Sequence, residues 1–190
     1  MSTDYLAIDA VVNIWTPESL SHRPDWTDEF FLGKTKGSQD SRGVSLEAMI
    51  AQMDSAGIGR GLLVAAKTGR PGLPGSYHMP LEVVADAVTQ YPDRFSGLVG
   101  LDPYQGMEGV RALEDAVSNL GFIGAQMYPH WYELAPHEAK WYPFYAKCID
   151  LDIPVQMQVG QSLIYSREQR CRSVGRPIYL DDIACDLPEL

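Results

Sequence analysis

The side chains best suited to chemistry in this sequence stand at the ends of short apolar runs. His130 follows Tyr128-Pro129 and precedes Trp131, a place at a run's end and not on a helix face. An imidazole of ordinary pKa, roughly 6.5, exchanges protons near neutrality, which makes His130 the first candidate general acid or base. Asp102, before Pro103, reads either as a catalytic carboxylate or as a turn cap. Lys67 suits an anionic substrate group, with a solvated charge as the plain alternative. Asn13, Trp15, Tyr128, Gln158 and Gln161 complete the set as groups that contact and orient a polar substrate. Asn13 and Gln158 lie within apolar runs, where an unpartnered amide is costly. They are therefore either hydrogen-bonded, to each other or to the core, or turned toward a wet pocket. His78 sits in a Gly/Pro-rich loop and reads as solvated; His22 and His137 read as surface residues.

The elements that position these groups follow from the hydrophobic pattern. Apolar runs at 6–15, 61–66, 95–101, 122–128 and 153–160 have strand character and alternate with segments of helical period. The first run is nearly continuous, as in a strand buried on both faces. Ser45 is placed to cap a helix carrying Leu46, Met49, Ile50 and Met53, which Gly57 ends. Pro80 opens a helix with Leu81, Val84, Ala85 and Val88 on one face, and Val110, Leu113 and Val117 share the face of the next. A helix is expected over 138–151, with Pro143 near its first turn, and a short last one over 180–185. Residues 16–43, polar and dotted with aromatics, read as an insertion after the first strand. Repeated βα units predict a parallel sheet, either doubly wound or a (β/α)8 barrel, with strand order following chain order. No G-x-G-x-x-G follows the first run, which weakens the dinucleotide-binding alternative. In either fold the strands' C-terminal ends gather the chemistry.

Composition narrows the function further. With 15 Lys and Arg against 25 Asp and Glu, the net charge of −10 argues against a nucleic-acid partner. No apolar stretch reaches the roughly 20 residues that span a bilayer, and the first ten residues lack a basic n-region, so no membrane or secretory role is expected. Cys148, Cys171 and Cys185 form no CxxC pair and read as thiols of a reducing compartment. The expectation is a cytoplasmic protein working on a small molecule.

Several segments carry a resemblance. Ile8-Asp9-Ala10-Val11-Val12-Asn13 stands where the amidohydrolase-2 family, which includes aminocarboxymuconate-semialdehyde and resorcylate-type decarboxylases, has I-D-x-H-x-H. The stretch from Gly121 to Pro129 resembles its G-F-x-G-x-x-L-x-P. Tyr142-Pro143-Phe144-Tyr145 with Leu151-Asp152-Ile153-Pro154-Val155 is similar to its fifth unit, and 176–190 resembles the helix before its sixth strand. The resemblance keeps its order along the chain and implies a TIM-barrel fold, of which about the first five βα units are present in a single domain over 1–190. It also implies a divalent metal, yet the positions of the family's first-strand histidines hold Val11 and Asn13, and Gln158 replaces a third. No cofactor is therefore predicted, and no metal ligand is assigned.

Two functions follow. The first is an enzyme that hydrolyses or decarboxylates a small carboxylated, ester- or thioester-bearing molecule. The second is a metal-free, inactive relative serving as a binding or structural subunit. The partial barrel, with its outer strands lacking neighbours, predicts a homo-oligomer.

Overall fold

In the computed structural model, residues 7–24, 42–69, 76–160 and 174–190 are described. Gln161, Cys171 and most of the 16–43 insertion lie outside them. The main sheet has five strands in the order β1 (Ala7–Val12), β2 (Ile58–Ala65), β5 (Phe95–Gly100), β6 (Gly124–Met127) and β7 (Val155–Met157). This is the chain order expected, and β1 runs parallel to β2 as β6 does to β7. A small antiparallel pair, β3 (Lys67–Thr68) with β4 (Tyr77–His78), forms a second sheet. The chain separates into two compact units, one of Met1–Ala65 with Met79–Leu98, the other of Ala66–His78 with Val99–Leu190.

In the first unit, α1 (Pro17–Ser21) follows β1, and α2 (Leu46–Ser55) and α3 (Leu81–Gln90) pack against β2. Ser45 caps α2 as the sequence predicts, its hydroxyl accepting from Ala48 N at 3.2 Å. Gly57 follows the helix with φ +71°, a conformation that costs glycine little. β2 begins three residues before the apolar run because Arg60 finds partners: its guanidinium donates to Ser96 Oγ at 2.7 Å. Arg94 donates to the Gly59 carbonyl at 2.9 Å and pairs with Asp54 at 2.6 Å, tying the end of α2 to the start of β2. β1 departs from expectation. Ile8 and Val11 are 63% and 52% exposed, because β1 is the outermost strand in the sheet order, with β2 as its one neighbour among the described strands.

In the second unit, α4 (Gly106–Leu120) packs against α6 (Tyr142–Asp150) around Leu113, Phe144 and Tyr145, all essentially buried. Gly109 permits the approach: a Cβ there would meet Phe144 Cζ at 3.0 Å. α6 starts at Tyr142, four residues later than the periodicity predicts, because Pro143 belongs in a helix's first turn and the chain ahead of it forms turns. The strand expected over 122–128 shortens to β6, since Pro129 opens the single-turn helix α5 (Pro129–Tyr132). α7 (Tyr179–Asp186) is held by Tyr142, whose hydroxyl donates to Asp186 at 2.7 Å.

Candidate functional site

The loop between β5 and α4 carries Asp102, whose side chain is 1% exposed. The turn-cap reading has its counterpart in the geometry. Oδ1 accepts from Tyr104 N at 2.9 Å, closing a local turn, while buried Oδ2 has no hydrogen bond among the described residues. That second oxygen stands 3.7 Å from His78 Nε2, too long for a hydrogen bond but within ion-pair range.

His78 reaches this place on the β3–β4 ladder, where it is the register partner of Lys67. Thr68 and Tyr77 fasten the ladder, the Thr68 hydroxyl donating to the Tyr77 carbonyl and accepting from its N–H, both at 3.3 Å. His78 Nε2 lies 3.2 Å from the Gly69 carbonyl. Burial lowers the imidazole's pKa, against the opposing pull of the Gly69 contact and the Asp102 carboxylate, while Lys67 lowers it further. Lys67 is itself 9% exposed and donates to Gln105 Oε1 at 2.9 Å. Burial lowers its ammonium's pKa, with Asp102 and Glu108 acting the other way. The group thus comprises a cation, a carboxylate and a neutral imidazole, each short of ordinary solvation. Such an arrangement suits the capture of an anion and the movement of a proton.

His130 lies in α5, 3% exposed, its Nε2 buried with no hydrogen bond among the described residues. Its ring stands edge-on to Tyr128 at 6.4 Å between centroids and 5.9 Å from Trp131. Burial pushes the imidazole down to about 4, so the ordinary pKa behind the sequence expectation is not the one this environment leaves it. Tyr132 and Gln126 add further buried polar atoms, a hydroxyl and an amide oxygen, without hydrogen bonds among the described residues. Burial first, and then the Asp102 charge, raise the Tyr132 pKa, so its hydroxyl stays protonated. Buried polar atoms left unpaired are rare enough to mark a place built for something other than packing.

Asn13 and Trp15 are placed in the first unit. They line an open cleft of about 460 Å³ with Asp9, Met49, Gln52 and Met53. Asn13 is exposed, which answers the cost of an amide in an apolar run. Gln158 is half-buried just past β7, its backbone N–H donating to the Met127 carbonyl at 3.1 Å. His22 is exposed as expected, whereas His137 is half-buried, its ring 4.6 Å from that of Tyr179.

The sequence reading missed His78, Gln105 and Tyr132. The available signal for His78 was the pairing of Lys67-Thr68 with Tyr77-His78 across a Gly/Pro-rich stretch, a hairpin pattern masked by its two-residue arms. The metal that the resemblance implies does not fit the residues present. Val11 offers no donor atom, and among the described residues no three His, Cys, Asp or Glu side chains form a group that could hold an ion.

Known proteins share this architecture. A family model described as amidohydrolase (Amidohydro_2) matches residues 8–190. The chain is 33% identical over 88 residues to 2-keto-4-carboxy-3-hexenedioate hydratase of a Sphingobium strain, covering 42% of this chain and 26% of that protein. The fold superposes on 5-carboxyvanillate decarboxylase of Novosphingobium aromaticivorans, solved with manganese and a nitrobenzoic acid. The TM-score is 0.70 at 20% identity, over 100% of this chain and 65% of that one. A TIM-barrel protein of Bordetella bronchiseptica gives 0.70 at 21% identity, over 96% of this chain and 64% of that one. The chain therefore spans less than two thirds of the length of these relatives, and its parallel five-stranded sheet is part of a TIM barrel.

Proposed function

The chain belongs to the amidohydrolase family, and on that premise we propose that it acts as an enzyme on a small carboxylated molecule, by decarboxylation or hydrolysis. The observation that carries this reading is the group of buried Lys67 and Asp102 with half-buried His78. Lys67, held by Gln105 and poorly solvated, takes the substrate's anionic group in exchange for the water it lacks. Asp102 supplies the carboxylate beside the reacting centre. His130, neutral at pH 7, serves as a hydrogen-bonding group, with Tyr128 beside it to orient the substrate. The names of the relatives support the substrate class, since both the hydratase and the decarboxylase are named for carboxylated compounds. No step is routed through a metal, because the described residues do not form a site for one.

The second reading, a binding subunit without turnover, rests on the same lack of a metal-holding group among the described residues. One experiment separates the two. The purified chain is offered a panel of hydroxybenzoates, unsaturated dicarboxylates and lactones, and CO2 release, absorbance change and binding heat are recorded. Turnover of at least one acid is expected, with a KM raised roughly ten- to a hundredfold in Lys67→Met, the worth of a hydrogen bond to a charged group. Binding that Lys67→Met abolishes, with no turnover, establishes the binding subunit instead. Neither binding nor turnover across the panel overturns both.

A further inference from the structure

His130 was the histidine that the sequence put forward, but the geometry points to a different proton carrier. We infer that His78 is the proton-transferring residue of the site and that Asp102 positions it, leaving Nδ1 as the nitrogen that meets the substrate. The inference rests on the carboxylate-directed site proposed above and assigns its chemistry.

The argument begins with hydrogen-bond roles. A carbonyl oxygen only accepts, so the 3.2 Å contact between Nε2 and the Gly69 carbonyl requires a proton on Nε2. The Asp102 oxygen 3.7 Å from the same nitrogen favours a proton there electrostatically. Two acceptors on one nitrogen leave Nδ1 with the lone pair. Nδ1 has no hydrogen bond among the described residues and is not among the buried orphan atoms, and the side chain is 22% exposed, so this lone pair is open to an incoming molecule. His130 offers the opposite case, 3% exposed with no carboxylate beside it. Asp102 holds Oδ2 buried and unbonded, at a distance that a shift of under 1 Å converts into a hydrogen bond. Its other oxygen is anchored by Tyr104 N, which fixes the carboxylate's orientation.

The step balances within the protein. Nδ1 takes a proton from water or from a substrate hydroxyl, whose oxygen keeps the electron pair. The imidazolium so formed faces the Asp102 carboxylate, and Lys67, its partner across the ladder, faces the substrate's anionic group. The same proton is then delivered to the leaving group, or to the carbon that retains the electron pair when CO2 departs, and the imidazole returns neutral.

The test reads the nitrogen itself before it reads activity. In 15N-labelled protein at pH 7.5, the His78 ring, assigned by its loss in His78→Gln, should show a protonated Nε2 and an unprotonated Nδ1. Its titration midpoint should lie below that of an ordinary histidine, fall further in Asp102→Asn and rise in Lys67→Met, because the two charges act on it in opposite senses. These shifts establish that the two charges act on the ring, and the kcat of His78→Gln separates a proton carrier from a structural ring. A proton on Nδ1, or a midpoint indifferent to both substitutions, overturns the inference whether or not a substrate is in hand. With an acid that the chain turns over, His78→Gln should lower kcat at least a hundredfold with KM little changed. A wild-type kcat in that variant removes His78 from the chemistry while leaving the substrate class intact, whereas failure of the whole panel strikes the proposed function and leaves the titration to decide the dyad.

Discussion

The buried imidazole of His130 makes the stability of this chain depend on pH in a way that one substitution isolates. Folding holds its pKa at about 4, against about 6.5 for an unfolded histidine. Below pH 6.5 the unfolded chain therefore takes up a proton that the folded chain refuses, so stability falls with falling pH until about pH 4 and is constant below that. At about 1.36 kcal/mol per pH unit, roughly three quarters of the loss is in place by pH 4.5, where it amounts to ~2.5 kcal/mol, while at pH 7.5 it is negligible. Urea unfolding of the wild-type chain and of His130→Gln at these two pH values gives the quantity directly, because carboxylates and other histidines titrate alike in both proteins. The wild type should lose ~2.5 kcal/mol more than the variant on acidification, a midpoint difference of roughly 1 M urea for an unfolding slope of about 2.5 kcal/mol/M. Parallel losses in the two proteins, within ~0.5 kcal/mol, would refute the argument that burial keeps this ring neutral.

Two further outcomes follow from the packing. Phe144→Ala should cost about 3–5 kcal/mol in denaturant melts, since the ring is 1% exposed and fills the space that Gly109 leaves between α4 and α6. Cys185, exposed on α7, should be labelled quickly by a thiol reagent under native conditions, while Cys148, fully buried with its thiol pushed up to about 12, should be labelled only on unfolding; peptide mapping distinguishes them.

What the sequence revealed divides along physical lines. Strand order and the Ser45 cap were legible because they depend on contiguous patterns: runs of apolar residues, and a hydroxyl just ahead of a helical face. Strand ends were less so. β2 extends over Gly59 and Arg60 because a neighbouring strand and Ser96 satisfy what propensity alone disfavours. The exposure of Ile8 and Val11 was hidden for a similar reason, as an apolar run states what can be buried and not what covers it. Of the candidate residues, Lys67 and Asp102 were named for their positions after strands. His78 was not, because its importance comes from a tertiary meeting with Asp102 across 24 residues of chain that no local pattern encodes. His130 was found by type and place, but its proton affinity is set by burial, which spacing does not report.

The β3–β4 ladder separates distance along the chain from distance in space. Lys67 and His78 are opposite one another in an antiparallel pair, so residues added or removed between the two arms lie beyond the ladder and leave the spacing of ammonium and imidazole unchanged. The pairing itself therefore sets how far apart the two side chains stand. Thr68 and Tyr77 clamp it through their mutual hydrogen bonds. A slip of one residue in either arm would turn that arm's side chain to the opposite face and part the ammonium from the imidazole.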